Sequence, residues 1–195
     1  MIFDYENKVI QVKIVFYGPA MSGKTTSMKF LFNYFNKSEN MHSIESSMGR
    51  TLFFDFGVLE FKGSVWDLKL LVYSATGQDF YASTRPATLR GVDGIIFVMD
   101  SQKEHLQRNV QSWRELKLFF GENFHDMPIV ATLNKYDKEN ISKITQSDIL
   151  SKLNHKTSKP LNFIKTEAIN GKGILETFQL LIQLIFPELI LEKTI

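Results

Sequence analysis

The fold of this chain is decided by the stretch Gly18-Pro19-Ala20-Met21-Ser22-Gly23-Lys24-Thr25. It fits the pattern G-x-x-x-x-G-K-[ST], whose backbone N–H groups wrap a phosphate at the positive end of the helix that follows. The stretch stands between a predicted strand at residues 9–17 and a predicted helix with one apolar face, as that mechanism requires. A chance match to the pattern is therefore disfavoured. We expect phosphate contacts from Gly18, Ala20, Met21, Ser22, Gly23, Lys24, Thr25 and Thr26.

Two residues of this loop have further roles in the pattern. Lys24 is expected to reach the β- and γ-phosphates of a nucleotide and to act in catalysis. The Thr25 hydroxyl is expected to bind Mg²⁺. The sequence thus predicts a nucleoside triphosphate and Mg²⁺ as ligands.

The rest of the chain alternates between strand and helix patterns. Apolar periodicity predicts six strands, at residues 9–17, 51–61, 65–74, 94–100, 129–133 and 163–166. Helices follow most of them, whereas residues 36–49 are polar and are predicted to form a loop. The order is typical of an α/β fold with a six-stranded, mostly parallel sheet, one antiparallel edge strand and helices on both faces. Together with the phosphate-loop motif of residues 18–25, it predicts a P-loop NTPase. Ligands of such sheets bind at the carboxyl ends of the strands.

Composition limits the function classes. The 195 residues contain no linker or repeat and predict one domain, residues 1–195. The net charge of +2 disfavours nucleic acid as the main ligand. The absence of cysteine excludes disulfides, thiolate metal sites and thiol-linked lipids. No signal peptide or basic terminal cluster is visible, so we expect a cytoplasmic protein with no direct lipid anchor, recruited to any membrane or cell pole by partners.

A second motif, Asn134-Lys135-Tyr136-Asp137, follows the fifth predicted strand. The Asp137 carboxylate can accept two hydrogen bonds from the N1–H and N2–H₂ groups of guanine, which adenine lacks. Lys135 can lay its aliphatic stem over the base. A charged turn is the alternative, since Asn, Lys and Asp are common in turns. The position after a strand, downstream of the phosphate loop, favours guanine recognition with Asn134 as a third contact.

Two shorter signals complete the site. Glu167-Ala168-Ile169 follows the last strand, and the Ala168 N–H is expected to face guanine O6 with Ile169 beside it. Any loop offers N–H groups, so this signal is weak alone. Gly77-Gln78 follows the third strand; the Gly77 N–H could sense a γ-phosphate and the Gln78 amide could orient the attacking water. A glycine-containing turn is the alternative for this pair.

Taken together, these motifs resemble those of the Ras-like small GTPases. Within them the chain is most similar to the MglA group, the prokaryotic gliding and polarity switches, with Arf-like GTPases as the next relatives. The resemblance rests on the motifs above and on Gly49-Arg50-Thr51-Leu52-Phe53-Phe54-Asp55-Phe56, Gly77-Gln78-Asp79-Phe80-Tyr81 and Gly91-Val92-Asp93-Gly94. It covers nearly the whole chain and implies a small G-domain.

The resemblance assigns roles around the γ-phosphate. Thr51 is implied as a second Mg²⁺ ligand, and Arg50 as an arginine finger supplied in cis, with a solvated loop arginine as the alternative. The family pattern Asp-x-x-Gly is here Ser74-Ala75-Thr76-Gly77, so the carboxylate that holds Mg²⁺ through water is missing. We expect weaker metal retention, offset by a carboxylate such as Asp100. Arg85 and Arg90 are expected to be surface or partner contacts.

Three functions remain open at this level. The first is a GTP/GDP switch that hydrolyses GTP slowly, signals through its switch loops and pairs with a roadblock-type, MglB-like activating protein, as the resemblance implies. The second, suggested by Ser74, is a guanine-nucleotide-binding scaffold that does not hydrolyse. The third is a small-molecule P-loop kinase, which would leave the Asn134–Asp137 motif unexplained.

Overall fold

The computed structural model describes residues 1–45, 51–77, 84–139, 142–153 and 161–188, and of residues 43–45 and 51–53 it describes the backbone alone. The strands of the described part are β1 (Ile2–Asp4), β2 (Val9–Tyr17), β3 (Met41–Glu45), β4 (Thr51–Phe61), β5 (Asp67–Ala75), β6 (Gly94–Asp100), β7 (Ile129–Asn134) and β8 (Asn162–Lys165). The helices are α1 (Lys24–Tyr34), α2 (Arg85–Leu89), α3 (Leu106–Phe120), α4 (Gln146–Leu153) and α5 (Ile174–Ile185).

One sheet contains all these strands, in the order β3-β4-β5-β2-β6-β7-β8, and β1 pairs with β2. The pairs β5–β2, β2–β6, β6–β7 and β7–β8 are parallel, whereas β3–β4 and β4–β5 are antiparallel. The predicted α/β fold, a mostly parallel sheet with an antiparallel edge and flanking helices, is confirmed.

The strand count differs from the six predicted because two short strands are added. β1 pairs antiparallel with residues 9–11 of β2, and β3 pairs antiparallel with β4. The prediction of a loop over residues 36–49 was therefore wrong at residues 41–45. Neither segment shows the apolar alternation of a strand, because each forms by backbone pairing with an edge that the fold leaves available.

The sheet is covered on both faces, and alternate residues of the central strands separate the two cores. On β6, Ile95, Phe97 and Met99 pack on the face that contains Trp113 of α3. Ile96 and Val98 pack on the opposite face against α1 and α5. All seven residues of β6 are buried, which is the pattern expected of a central strand between two helical layers.

The loops after the parallel strands converge at one edge of this sheet. β2 leads into the loop at residues 18–23, β5 into Thr76-Gly77, β7 into the loop at Lys135, and β8 into the loop at Thr166. Asp100, the last residue of β6, lies opposite Asn134, the last residue of β7. The topology therefore brings the separate sequence motifs to one site.

Candidate functional site

The phosphate loop has a backbone that only certain residues permit. Gly18 has φ 141° and Gly23 has φ 102°. A Cβ on Gly18 would lie 2.2 Å from the Val98 carbonyl oxygen, and a Cβ on Gly23 would lie 2.1 Å from Asn134 Nδ2. Met21 also has positive φ, at 61°, and its side chain is 66% exposed. Both glycines are thus required by backbone conformation and by close approach of neighbouring strands.

Lys24 is buried within this loop, at 6% exposure. Its Nζ donates to the carbonyl oxygens of Gly18, at 2.9 Å, and Pro19, at 2.7 Å. Burial lowers the pKa of Lys24 to about 7, with the charge of Arg85 adding to the effect and that of Asp55 opposing it. Burial in the loop therefore disfavours the protonated form of Lys24. A bound anion next to Nζ would stabilise that form.

The start of α1 supplies further groups for an anion. Thr25 is half-buried and Thr26 is exposed in the first turn, which contains no acidic residue. N–H groups at a helix start carry partial positive charge and have no partner within the helix. The Ser22 hydroxyl is buried and has no hydrogen-bond partner in the described part of the chain. Ala20 is half-buried between them. The residues predicted to hold phosphate thus surround one helix start.

A carboxylate that the sequence analysis did not select lies next to Thr25. Asp55 of β4 is fully buried, and its Oδ2 accepts a hydrogen bond of 2.5 Å from Thr25 Oγ1. Asp55 pairs across β4 and β5 with Ser74, whose hydroxyl is buried with no hydrogen-bond partner in the described residues. The carboxylate missing at Ser74 is therefore present on the neighbouring strand.

Asp100, which the sequence suggested as the compensating carboxylate, lies elsewhere in the site. Its Oδ2 is 2.6 Å from Lys135 Nζ, and its Oδ1 accepts from the Gln102 side chain and backbone. These contacts place Asp100 against Lys135 and Gln102, whereas Asp55 contacts Thr25, so the metal role suggested for Asp100 stays a prediction. The sequence did contain a signal for Asp55. Side chains alternate between the two faces of a strand, so Asp55 lies on the same face of β4 as the buried Leu59, which places an acid on the inner face.

Asn134 joins the phosphate loop to the loop after β8. Its Nδ2 donates to the Ser22 carbonyl oxygen at 2.8 Å. Its Oδ1 accepts from Thr166 Oγ1 at 3.1 Å and from the Ala168 N–H at 3.0 Å. Because Asn134 is 1% exposed, these contacts hold three separate segments in one fixed arrangement. The Ala168 N–H, predicted to face a guanine oxygen, here donates to Asn134.

The other base-side residues lie around this centre. Lys135 has φ 62° and is half-buried, and Asp137 is half-buried with no hydrogen bond or ion pair of its carboxylate within the described ranges. Ile169 is 77% exposed at the rim of the loop. The Asp137 carboxylate is thus accessible to a ligand beside a buried network.

The side of the site that is predicted to face a γ-phosphate is described in part. Gly77 lies against the phosphate loop, since a Cβ on it would come within 2.3 Å of the Ala20 nitrogen. Thr51 begins β4 and pairs with Glu45, but its side chain lies outside the described part, as do Arg50 and Gln78. Arg85 differs from the prediction of a surface contact: it is 7% exposed and bonds to the Thr76 carbonyl oxygen and to Glu115. Arg90 is exposed, as expected.

Comparison with known proteins places this arrangement in a family. Residues 13–186 match the model of the Ras family. The chain belongs to the Ras family. It is 31% identical over 192 residues to the mutual gliding-motility protein MglA of Myxococcus xanthus, covering 95% of this chain and 96% of MglA. It is 26% identical to the Ras-related protein Rab-3C of Mus musculus, covering 94% of this chain and 73% of that protein.

A further relative within the Ras family is the Ras-related protein Rab-3 of Caenorhabditis elegans, at 28% identity over 94% of this chain and 75% of Rab-3. The predicted likeness to Ras-like small GTPases of the MglA type is confirmed by these matches. Within the described residues, the helices are too short or too polar to cross a bilayer.

Proposed function

We propose that this Ras-family protein binds GTP and GDP with Mg²⁺, hydrolyses GTP and acts as a switch. The observation that carries the proposal is the bridge made by Asn134 between Ser22 of the phosphate loop and Ala168 of the loop after β8. A bridge of this kind fixes the distance between a phosphate-binding loop and a base-reading loop. Asp137 then selects guanine, because its carboxylate meets two donors that adenine lacks.

The residues of the phosphate loop are suited to bind the phosphates. Lys24 is buried beside the loop carbonyls, and a nearby anion would stabilise its charged form. The N–H groups at the start of α1 and the Ser22 hydroxyl offer additional donors. Together they favour a polyphosphate over a single carboxylate.

The residues around Thr25 fit Mg²⁺. Mg²⁺ takes oxygen ligands and retains several waters. The Thr25 hydroxyl and the Asp55 carboxylate provide hard oxygens at 2.5 Å from each other, and the Ser74 hydroxyl next to them has no partner in the described part. We assign Thr25 and Thr51 as protein ligands, with Asp55 acting through water in place of the missing aspartate. When bound, Mg²⁺ neutralises phosphate charge.

Hydrolysis is assigned to Gln78 and Arg50, both outside the described residues. Gln78 orients the attacking water, and Arg50 stabilises charge on the transferring phosphoryl group. The unassisted rate is expected on the order of 10⁻³ s⁻¹ or below. Arg50→Ala and Gln78→Leu should both leave GDP affinity unchanged and remove stimulated hydrolysis, by about 10³-fold for Arg50.

The partner is proposed from the similarity to MglA and from an exposed aromatic surface. Phe54, which is 39% exposed, and Phe56 contact Tyr73 on the outer face of β4 and β5. We propose that a roadblock-type activating protein and effectors bind near this face and the switch loops. The protein is proposed to be cytoplasmic and to reach membranes or a cell pole through such partners.

The test measures GTP binding and turnover of the purified protein, with and without a roadblock-type partner. Micromolar or tighter GTP binding, poor ATP binding and partner-stimulated phosphate release would support the proposal. Tight binding with no turnover under either condition would favour the scaffold function instead. Equal affinity for ATP and GTP would contradict the guanine assignment.

A further inference from the structure

The carboxylate of Asp100 has a buried and fully engaged position. Its side chain is 5% exposed at the end of β6, directly opposite Asn134 in the sheet. One oxygen accepts from Gln102, through the side-chain amide at 2.9 Å and the backbone N–H at 3.1 Å. The other oxygen is 2.6 Å from Lys135 Nζ. Both oxygens thus have defined partners. Of these partners, Lys135 lies in the loop after β7, whereas Gln102 lies just after β6.

Lys135 has a backbone conformation that its neighbours must maintain. Its φ of 62° is uncommon for a residue with a Cβ. Backbone hydrogen bonds hold the residues on each side of Lys135. The Ser101 N–H donates to the Asn134 carbonyl, and the Tyr136 N–H donates to the Thr166 carbonyl. Lys143 Nζ also donates to the Lys135 carbonyl at 2.7 Å. The side chain itself is fastened by Asp100.

The ion pair determines what Lys135 offers to a ligand. Its ammonium group is held against a buried carboxylate, so its charge is compensated and its direction is fixed. The side chain remains 22% exposed, and the aliphatic stem of a lysine can contact the face of a flat ring. An unpaired lysine at this loop would instead sample many rotamers and lose that freedom on binding.

We infer that Asp100 is a positioning residue for the base, holding Lys135 so that its stem forms one wall of the guanine site. The inference rests on the proposed function, since it needs a base at Asp137. Asp100 touches no part of the ligand in this role. It acts through Lys135, so its effect on nucleotide dissociation must vanish when the lysine ammonium is absent.

Other groups near Asp100 set the conditions of the test. His105 Nε2 lies 3.6 Å from the same Asp100 oxygen that binds Lys135, and Glu104 lies 3.5 Å from that histidine nitrogen. Lys135 and His105 therefore face the same carboxylate oxygen. All variants are therefore compared at one fixed pH, with His105 left unchanged.

The experiment is a double-mutant cycle on GDP dissociation, followed with fluorescent GDP on the full chain. Asp100→Asn keeps the side-chain shape and removes the charge, whereas Lys135→Met keeps an apolar stem and removes the ammonium. Asp100→Asn is expected to speed dissociation about tenfold in the wild-type background. In the Lys135→Met background, it is expected to change the rate by less than about twofold.

Gln102→Ala is the matched control, because it removes a partner of the other Asp100 oxygen and leaves Lys135 in place. It is expected to change GDP dissociation by less than about twofold. A control effect as large as that of Asp100→Asn would overturn the inference, as would equal effects of Asp100→Asn in both backgrounds. Normal GDP binding by the wild type with no coupling contradicts only this inference, whereas no GDP binding by the wild type contradicts the proposed function itself.

A second measurement does not depend on how well Asp100→Asn folds. Burial pulls the pKa of Asp100 upward, but the bonds from Lys135 and Gln102 outweigh it and hold that pKa below its usual value. Carboxyl-carbon NMR of Asp100 in the GDP-bound protein should show a low pKa that rises in Lys135→Met. An Asp100 pKa that is unchanged by Lys135→Met would overturn the pairing.

Discussion

The two ends of the site differ in how their polar groups are satisfied. At the base end, Asn134, Asp100 and Thr166 are buried and hydrogen-bonded to neighbouring loops. At the phosphate end, the hydroxyls of Ser22 and Ser74 are buried with no hydrogen-bond partner in the described residues, and Lys24 is buried with a lowered pKa. The buried groups of the base end are therefore satisfied within the protein, and the half-buried Asp137 carboxylate is left for a ligand, whereas the phosphate end contains buried groups that a ligand would stabilise.

On the proposed function, this difference gives the two ends separate roles. A preorganised base end provides selectivity, because its groups need no rearrangement on binding. A phosphate end with unsatisfied groups provides affinity that depends on phosphate and metal, since each buried polar group without a partner costs about 1–3 kcal/mol. Changes at the base end should thus alter which nucleotide binds, and changes at the phosphate end should alter metal and pH dependence.

The largest expected effect is on base selectivity. Asp137→Asn should reverse the preference between GTP and xanthosine triphosphate, whose ring has a carbonyl where guanine has its amino group. A site that hydrogen-bonds a ligand group rejects analogues that lack it by about 10⁴-fold. Competition binding against fluorescent GDP measures the ratio. Glu139→Gln, an exposed neighbour, is the control and should keep the preference for guanine; an unchanged preference in Asp137→Asn would exclude Asp137 from base reading.

The next effect concerns the bridge at Asn134. Asn134→Ala removes the hydrogen bonds to the Ser22 carbonyl, the Thr166 hydroxyl and the Ala168 N–H, and leaves these three groups without that partner. GDP affinity should fall by about 10²-fold or more, from a cost of about 1–3 kcal/mol for each group. Titration calorimetry gives the affinity. Thr166→Val removes a single bond and should cost less; equal losses for the two variants would mean that the bridge itself contributes little.

A smaller effect is expected for the metal contact. Asp55→Asn should raise the Mg²⁺ concentration needed to retain GDP by about 10–100-fold, the usual cost of losing a partner outside the direct ligands. GDP release at increasing chelator concentration measures it. Ser74→Asp combined with Asp55→Asn moves the carboxylate to the neighbouring strand and should restore retention. If Asp55→Asn retains GDP at wild-type Mg²⁺ concentrations, the metal role of Asp55 is wrong.

The last expected effect is a pH dependence of stability in protein stripped of nucleotide. The pKa of Lys24 is about 7 in the folded chain and near 10.5 when exposed, so the unfolded chain binds more protons between these values. The free energy of unfolding should therefore rise with pH from about 7 to 10.5, by at most about 1.4 kcal/mol per pH unit. Denaturant unfolding measures this slope.

Two comparisons check the origin of that slope. Lys24→Met should abolish it, because the titrating group is removed. Bound GDP should also flatten it, because an adjacent phosphate favours the charged lysine. A slope that persists in Lys24→Met would mean that another group is responsible.

Much of the fold followed from local patterns. The apolar run of β6 and the periodicity of α3 and α5 predicted elements that the structure contains, because burial on two faces or on one face imposes these patterns. β1 and β3 were missed, since their pairing depends on which strand edge is available. Arg85 was assigned to the surface for a related reason: nothing in its local sequence indicates Glu115 of α3 as its partner.

The sequence by itself determined the phosphate loop, the Asn134–Asp137 motif and their order, because backbone conformation and hydrogen-bonding groups require particular residue types at fixed local spacing. Only the tertiary structure decided which distant groups meet. It paired Thr25 with Asp55 across 30 positions and Lys135 with Asp100 across 35. A carboxylate stabilises a cation only when the two lie close together in the fold. The spacing of residues along the chain does not fix which strands become neighbours in the sheet.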